Sequence, residues 1–374
     1  MEACAVGEGC PGKQRAMKDF KNILVVQTAF IGDLILTLPL VQICKKLFPA
    51  SAIDVVVTPD GKELCANHPD IREAIAFDKR GADRGVGGLM RLSRSLRSRF
   101  YDLALVPHRS LRSAALVSLS RIPVRIGFDR SSGKLLLTET VQYSRTVHEI
   151  DRNLSLLKPV SEATVPRQLP RLYPSESDKS RVDRLLVELE IVGPETLVAI
   201  APGTLWNTKR WLKERFSSLA VNLHKSGLEI VLIGGRDDQI LCDEVRTHSS
   251  SSHVYSAAGM LSLLQSVELI RRCKVLICND SAPMHMAAAA GTPVVAIFGA
   301  TVPAFGFGPS GPEDVVVETQ GLKCRPCSIH GGEKCPIETF DCMNNITYES
   351  VFRNVMEVLA TSAQSGRLVR QRKL

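Results

Sequence analysis

The chain has 374 residues, enough for two to three domains, and its 44% hydrophobic and 23% charged residues are typical of a soluble globular protein. Its net charge of +8 favours an anionic partner, such as nucleic acid, a phosphorylated glycolipid or a membrane surface. No apolar run approaches the roughly 18 residues of a membrane-spanning helix, and residues 1–20 lack the apolar stretch of a secretory signal, which favours a cytosolic location.

Short apolar runs alternate with helical patterns through the first half of the chain. After a leader that we predict to be disordered, residues 1–20, strands are expected at residues 23–26, 53–57, 73–77, 103–106 and 125–127. Helices are expected at residues 34–46, 62–67, 89–100 and 113–120. This alternation predicts a doubly wound α/β domain, which we assign to residues 21–160.

The second half repeats the alternation after a proline-rich, polar linker at residues 161–177. The expected elements are helices at 178–190, 212–225, 239–247, 262–271 and 284–290 and strands at 197–201, 230–233, 275–278 and 294–298. They predict a second α/β domain at residues 178–347, which includes a cysteine-rich segment at 324–342. A C-terminal helix at 348–362 and a basic tail at 363–374 are expected to follow.

The segment at residues 275–298 predicts a strand, a helix and a second strand. Asp280 and Ser281 are residue types that cap a helix start, Pro283 suits the first helical turn, and Gly291 suits the helix end. The start of this helix offers free N–H groups and a partial positive charge, which can hold a phosphate. An ordinary capped helix explains the same residues equally well.

An aspartate follows the first strand, in the pair Gly32-Asp33 at the start of the next helix. Ligands of open α/β sheets bind outside the carboxyl ends of the strands, so Asp33 could accept a proton from a substrate hydroxyl. Helix capping is the alternative role. Only one glycine is present in this loop, which argues against a dinucleotide cofactor in the first domain.

Two further loops follow strands of the second domain. The loop at residues 202–211 carries Thr204, Thr208 and Lys209, which could donate hydrogen bonds and a positive charge to a diphosphate. The alternative is a surface loop with a solvated lysine. The acids of residues 234–238 could hold ribose hydroxyls or cap the following helix.

Four of the chain's 11 cysteines lie close together near the C-terminus, as Cys324, Cys327, Cys335 and Cys342. The first pair has the spacing of a zinc knuckle, and His330 is a fifth candidate ligand. In a cytosolic protein such cysteines are more often thiols or metal ligands than disulfides. We expect a structural zinc site, with an iron–sulfur cluster or plain thiols as alternatives.

The predicted helix at residues 89–100 is basic on the side away from its leucines. It carries Arg91, Arg94, Arg97 and Arg99. These arginines are either a solvated helix face or a surface that attracts an anionic acceptor or membrane.

Three motifs together resemble glycosyltransferase family 9, the ADP-heptose–lipopolysaccharide heptosyltransferases, with heptosyltransferase II-like enzymes as a candidate subfamily. They are the Gly32-Asp33 helix start, the loop APGTLWNTKRW and the segment NDSAPMHMAAAAGTPVVAIFG. The cysteine segment also resembles one carried by many members, and the similarity extends from about Lys21 to Leu359. The resemblance implies a GT-B fold of two Rossmann-like domains facing a cleft. The first would bind a lipid-linked acceptor and the second an ADP-sugar, and the last helix would cross back to the first domain.

The resemblance also implies roles for individual residues. Asp33 matches the general base of the family, and Lys209 matches its diphosphate-binding lysine. The full donor-binding set comprises Thr204, Thr208, Lys209, Asp238, Asp280, Ser281, Met284 and His285. One departure is Leu205, which stands where some members have a second hydroxyl.

The function implied by the resemblance is inverting transfer of heptose from ADP-heptose to a lipid A–Kdo or heptosylated inner-core acceptor, with no cofactor needed for catalysis. The enzyme would be cytoplasmic and peripheral at the anionic inner face of the inner membrane. Alternatives are a GT-B glycosyltransferase with another nucleotide sugar and a GT-B-fold nucleotide-sugar epimerase. A zinc-dependent nucleic-acid-binding protein is disfavoured by the 5% aromatic content and dispersed charges, so we expect no nucleic-acid partner.

Overall fold

The computed structural model describes residues 19–163, 166–191 and 193–371, with side chains as far as Ser362. The predicted disordered leader lies outside this range except for its last two residues. Of these, Phe20 is buried and packs edge-on against Phe48, with ring centroids 5.4 Å apart. The ordered first domain therefore includes Phe20, because its ring covers one end of the core.

The first half forms a parallel sheet with the strand order β3-β2-β1-β4-β5-β6. Its elements in chain order are β1 (Asn22–Val26), α1 (Ile31–Ile35), α2 (Leu38–Leu47), β2 (Ala52–Val57), α3 (Pro59–Leu64), β3 (Glu73–Ala76), α4 (Gly85–Arg97), β4 (Leu103–Val106), α5 (Leu111–Leu119), β5 (Val124–Phe128), β6 (Glu139–Val141) and α6 (Glu149–Leu154).

The second half forms another parallel sheet, with the strand order β12-β11-β10-β7-β8-β9. Its elements are α7 (Glu176–Glu188), β7 (Leu197–Ala201), α8 (Lys213–Lys225), β8 (Glu229–Leu232), α9 (Gln239–Ser249), β9 (Val254–Ser256), α10 (Leu263–Arg272), β10 (Leu276–Asn279), α11 (Ala282–Ala290), β11 (Val294–Phe298), β12 (Val315–Glu318), α12 (Asp341–Asn344) and α13 (Tyr348–Gln371).

The two sheets have the same topology. In each, the first strand lies at the centre, the next two strands extend to one side and the last three to the other. This is the strand order of a Rossmann domain, and it confirms the two doubly wound domains expected from the sequence. Strands β7 and β11 are buried along their whole length, which explains why they read as continuous apolar runs.

The predicted helix at residues 34–46 is two helices in the structure, α1 and α2. Leu36 ends α1, and Pro39 occupies the first turn of α2, where its missing N–H costs no hydrogen bond. The sequence pattern missed this break because apolar residues continue through both helices and are buried in both.

Helix α13 departs from the prediction that the C-terminal helix packs on the first domain. Val351, Val355 and Val358 instead join the apolar core of the second domain, where α13 contacts α8, β11 and β12. The spacing of these valines gives one apolar stripe, and the second sheet supplies its partner. The backbone also remains helical to Gln371, through most of the predicted basic tail.

Several short elements were not predicted, namely β6, α6, β9, β12 and α12. Each has six residues or fewer, too few for a periodic pattern to emerge. Within the described part of the chain, no helix has both the length and the apolar character needed to cross a membrane.

Candidate functional site

The carboxyl ends of the two sheets supply the loops that carry the predicted site residues. In each sheet the strand order reverses at the first strand, and this is where open α/β sheets bind ligands. Helix α1 follows β1 in the first domain, and α11 follows β10 in the second. Helices α1 and α11 contact each other, so the two ligand-binding edges meet at the interface between the domains.

Asp33 lies in the first turn of α1, at this interface. Its Oδ2 accepts a hydrogen bond of 3.3 Å from the Phe30 N–H, and Phe30 is the N-cap residue. Burial raises the pKa of Asp33, while the Phe30 N–H and the charges of His330 and Arg109 lower it. The structure therefore shows Asp33 in the capping role, and the raised pKa of its carboxyl group leaves the proton-accepting role a prediction.

Gly32 and His285 bring α1 and α11 together. A β carbon on Gly32 would stand 2.8 Å from Cδ2 of His285, so the close approach depends on glycine. His285 is 5% exposed, and its Nδ1 is buried without a hydrogen-bond partner in the described structure. Burial lowers the pKa of His285 to about 4, so the ring is neutral at pH 7.

Lys209 is held beside the start of α11. Its Nζ lies 2.6 Å from Oδ2 of Asp280, and the side chains are 14% and 9% exposed. The Thr301 hydroxyl donates to the same Asp280 oxygen at 2.6 Å. Lys209 is thus a nearly buried charge at a helix N-terminus, where both the ammonium and the helix dipole attract an anion.

Thr208, predicted to donate a hydrogen bond to a diphosphate, is hydrogen-bonded to the cysteine segment in the structure. Its hydroxyl accepts a 2.8 Å hydrogen bond from the Gly332 N–H, and its own N–H donates to the Gly332 carbonyl at 3.0 Å. The neighbouring Gly331 packs so closely on Lys209 that a β carbon would stand 2.9 Å from its stem. Thr208 is 3% exposed, and its two hydrogen bonds join the cysteine segment to the loop at residues 202–211.

Asp238 packs against the donor loop from the end of β8. Its Oδ2 accepts a 2.9 Å hydrogen bond from the Gly235 N–H, which is the capping role. A β carbon on Gly203 would overlap the Asp238 carboxylate. The carboxylate can therefore pack against this loop only because residue 203 is a glycine. Thr204 is half-buried in the same loop, and its carbonyl accepts from Arg210 at 3.0 Å.

Ser281 and Met284 complete the predicted donor set. The Ser281 hydroxyl donates to the Asn279 carbonyl at 3.2 Å, and Ser281 is the N-cap residue of α11 without a side-chain capping bond. Met284 is fully buried in the apolar core, so its side chain anchors α11 and only its backbone borders the loop.

Two further charged residues, Glu149 and Arg152 on α6, were not predicted from the sequence. The buried Arg152 guanidinium pairs with the Glu149 carboxylate and donates to the Phe305 carbonyl of the second domain at 3.2 Å. The Glu149 N–H donates to the Gly306 carbonyl at 2.8 Å, so α6 fastens the two domains together. Burial raises the pKa of Glu149, Arg152 lowers it, and the Asp33 charge raises it. A six-residue helix gives too little pattern to find these groups in advance.

A basic polar group on the first domain was also missed. Lys79 Nζ donates to the Thr28 carbonyl at 2.5 Å and to its hydroxyl at 3.1 Å, and His108 Nδ1 lies 3.0 Å from that hydroxyl. Burial, followed by the charge of Arg112, lowers the pKa of Lys79, and burial lowers that of His108 to about 4. Lys79 and Arg109 supply positive charge at the carboxyl edge of the first sheet, whereas His108 is neutral at pH 7.

The four predicted metal-binding cysteines are free thiols in one segment, which lies against the donor loop. Burial raises the pKa of the Cys335 thiol, but hydrogen bonds from the backbone N–H groups of Phe340 and its neighbours together outweigh this effect and bring the pKa below its ordinary value. Such donors favour the thiolate form, which is the form that binds metals. Within the described residues, however, no three of these sulfurs lie within 4.8 Å of one another; the group that meets this spacing is His224, Glu229 and His253.

The chain is similar in sequence to known heptosyltransferases. A sequence profile of glycosyltransferase family 9 (heptosyltransferase) matches residues 89–334. The chain is 29% identical over 300 residues to lipooligosaccharide heptosyltransferase 2 of Haemophilus ducreyi, covering 76% of this chain and 85% of that protein. It is 31% identical over 282 residues to a lipopolysaccharide heptosyltransferase 3 of Escherichia coli, covering 73% and 82%.

A solved structure, that of Escherichia coli ADP-heptose lps heptosyltransferase II, has the same fold. It matches with a TM-score of 0.75 at 24% identity, over 91% of this chain and 99% of that one. This likeness confirms the predicted GT-B arrangement of two Rossmann-like domains. The chain belongs to glycosyltransferase family 9, the heptosyltransferases, and is a glycosyltransferase.

Proposed function

We propose that this enzyme transfers a heptose from ADP-heptose to the inner core of lipopolysaccharide, with inversion at the anomeric carbon. The observation that carries the proposal is the contact between α1 of one domain, which carries Asp33, and α11 of the other, whose start lies beside the Lys209–Asp280 pair. Family membership and the names of the matched heptosyltransferases support the choice of sugar and acceptor.

The donor would lie against the second domain. Lys209 and the N-terminus of α11 attract the diphosphate, while Thr204, Ser281 and Asp238 border it. Asp280 holds the ammonium in place through a 2.6 Å contact, and its own charge is offset by Thr301 and Lys209. Positive charge is thereby fixed where the leaving ADP becomes more negative during the reaction.

The chemical step is a single displacement. Asp33 accepts the proton of an acceptor hydroxyl as that oxygen attacks the anomeric carbon, and the bond from this carbon to the diphosphate oxygen breaks. The electron pair leaves with ADP, next to Lys209. Burial raises the pKa of Asp33, which makes its carboxylate a stronger base than an ordinary aspartate. Neutral His285 packs against Gly32 and supports this arrangement without adding charge.

The acceptor would approach the first domain. Lys79, Arg109 and Arg112 surround the end of the first sheet and suit the phosphates and carboxylates of an inner-core acceptor. Peripheral association with the anionic inner face of the inner membrane is part of this proposal. On α4, Arg94 and Arg97 are exposed, whereas Arg91 pairs with Asp83. Arg99, just beyond the end of α4, pairs with Glu73.

Membrane association has a direct test. Binding to anionic vesicles should weaken as salt rises from 50 to 500 mM, and Arg94→Gln/Arg97→Gln should bind less than the wild type. Arg181→Gln is a matched control, since this half-buried arginine pairs with Glu188 on α7. Vesicle binding that does not change with salt concentration would contradict this part of the proposal.

We also propose a structural metal at Cys324, Cys327, Cys335 and Cys342, with zinc as the first candidate and an iron–sulfur centre as the second. Its support is the spacing in sequence and the N–H donors around Cys335. Binding would need the sulfurs to draw closer together. Elemental analysis of the purified protein tests it, since preparations without zinc or iron would leave these residues as plain thiols.

The principal experiment measures ADP release from ADP-heptose with and without a truncated inner-core acceptor, for the wild type, Asp33→Asn and the control Asp243→Asn. Asp243 is exposed on α9. Acceptor-dependent release in the wild type and the control, lost by about 10²- to 10⁴-fold in Asp33→Asn, is the expected result. Turnover of the nucleotide sugar without acceptor would favour an epimerase, and release from a different donor would favour another glycosyltransferase.

A further inference from the structure

Two histidines and a glutamate meet at a place that the glycosyl transfer does not use. They are His224 near the end of α8, Glu229 at the start of β8 and His253 directly before β9. One ligand atom from each lies within 4.8 Å of the other two, and all three side chains are half-buried. Because they lie on α8, at the start of β8 and in the loop before β9, no short sequence motif contains all three.

The distance between His253 and Glu229 suits a shared ion. His253 Nδ1 lies 3.3 Å from both carboxylate oxygens of Glu229. An N–H···O hydrogen bond is usually about 2.9–3.0 Å long. Nitrogen and oxygen ligands about 2.0–2.2 Å from a tetrahedral Zn²⁺ stand about 3.3–3.5 Å apart. The observed separation therefore suits two ligands of one ion, and it lies just beyond the usual range of a direct hydrogen bond.

The hydrogen bond made by His224 leaves its other ring nitrogen able to bind an ion. Its Nδ1 lies 3.2 Å from the Leu228 carbonyl oxygen, which can only accept, so the proton belongs on Nδ1 and Nε2 keeps its lone pair. Metal-binding histidines commonly donate their other N–H to a backbone carbonyl in this way. The rings of His224 and His253 stack with centroids 4.2 Å apart and 10° between planes. Because a metal ion lies in the plane of each imidazole that binds it, one of the two rings turns when both bind the same ion.

We propose that His224, Glu229 and His253 form a binding site for a divalent transition-metal ion, with Zn²⁺ as the best fit. Two imidazoles and one carboxylate suit Zn²⁺, whereas Mg²⁺ and Ca²⁺ prefer oxygen ligands alone. The His253 side chain is 40% exposed, which gives the ion access from solvent. A water molecule would complete the coordination as the fourth ligand.

The site lies away from the chemistry. Glu229 and His253 stand at the amino ends of β8 and β9, while the donor loops follow the carboxyl ends of the strands. A bound ion would tie the three-residue edge strand β9 to β8 and α8. The ion therefore stabilises the edge of the donor domain and takes no part in sugar transfer.

The test is a Zn²⁺ titration of the metal-free full-length protein by calorimetry at pH 7.5. The variants are His224→Ala, His253→Ala and the isosteric Glu229→Gln, and His248→Ala is the matched control. His248 is exposed on α9, where its Nδ1 contacts the Glu244 carbonyl oxygen. We expect the three variants to lose one equivalent of binding, or to weaken it at least 10- to 100-fold, while the control keeps it.

Bound metal could instead lie at the cysteine segment, and two measurements distinguish that segment from the histidine–glutamate site. The first is the absorption spectrum of the protein with Co²⁺ in place of Zn²⁺. Thiolate ligands give bound Co²⁺ a strong near-ultraviolet charge-transfer band, and nitrogen and oxygen ligands do not. The midpoint temperature should rise by roughly 5 °C or more at a Zn²⁺ concentration about 100 times Kd in the wild type, and less in the variants. Circular dichroism without metal checks that each variant is folded. Equal stoichiometry and affinity in wild type, His224→Ala and His253→Ala would overturn the proposal.

Discussion

Gly32 of the first domain stands directly against the imidazole of His285 in the second, and a β carbon there would lie 2.8 Å from Cδ2. The ring has no room to retreat, because His285 is 5% exposed. The two residues fix the distance between α1 and α11. They also fix the separation between Asp33 and the donor loops, on which the proposed reaction depends.

Gly32→Ala should therefore damage both stability and transfer. The added methyl group overpacks the interface, which costs about 1–3 kcal/mol, and it pushes Asp33 away from the donor side. We expect a lower midpoint temperature and at least a 10-fold loss of kcat/KM. Gly87→Ala is the control, because a β carbon on Gly87 in α4 meets nothing within 4 Å and should be neutral or slightly stabilising. Equal behaviour of the two variants would contradict the close contact.

The pH profile of kcat/KM should reveal Asp33. A general base works when it is deprotonated, so activity falls as pH decreases through its pKa. Because burial raises this pKa, the acid limb should lie above the range of an ordinary aspartate. The charge of His330 lowers the same pKa, so His330→Gln should move the limb to higher pH. An acid limb that persists unchanged in Asp33→Glu and His330→Gln would assign it to another group.

Removing Lys209 should destabilise the fold as well as weaken donor binding. Lys209→Met leaves Asp280 nearly buried without its ion pair, which costs about 3–5 kcal/mol, and Lys209→Met/Asp280→Asn should recover part of that loss. Lys179→Met is the control: its 2.6 Å ion pair with Glu176 is solvent-exposed and should matter by about 1 kcal/mol or less. Denaturant unfolding measures both. Similar costs for the two lysines would contradict the burial argument.

Gly306→Ala should separate the two domains at α6. Gly306 has φ of +93°, and a β carbon there would stand 2.5 Å from the Val147 carbonyl oxygen. Gly227→Ala is the matched control, with φ of +84° and nothing within 4 Å. Both substitutions strain the backbone by about 1–2 kcal/mol, so the additional loss in Gly306→Ala isolates the contact between the domains. The measurements are the midpoint temperature and kcat/KM, and matching losses would show that the contact is dispensable.

Much of the fold could be predicted from local pattern. Strands β4, β7 and β11 were predicted to the residue, and β1 within one residue, because buried parallel strands are continuous apolar runs. The helix after β1 was predicted as one piece but is two, since its apolar residues continue across the break at Leu36 and Thr37. Short elements such as α6 and β9 have too few residues to show the repeat of apolar residues by which helices and strands are predicted.

The candidate site was predicted in part. The structure brings Asp33, Lys209, Asp280 and His285 to the interface where the sequence motifs suggested a site. Both Thr208 and Met284 are buried: Thr208 is hydrogen-bonded to the cysteine segment, and Met284 lies in the apolar core. Glu149 and Arg152 were missed, since their importance lies in contacts with the other domain.

By itself, the sequence determined the class of fold, the alternation of strands and helices, and the family. These follow from apolar runs, capping residues and motif spacing, all of which act over a few residues along the chain. Only the tertiary structure decided which side chains meet: Gly32 with His285, Thr208 with Gly332, and His224 with Glu229 and His253. Such meetings depend on how whole domains and strand edges pack, and local periodicity carries no information about those distances.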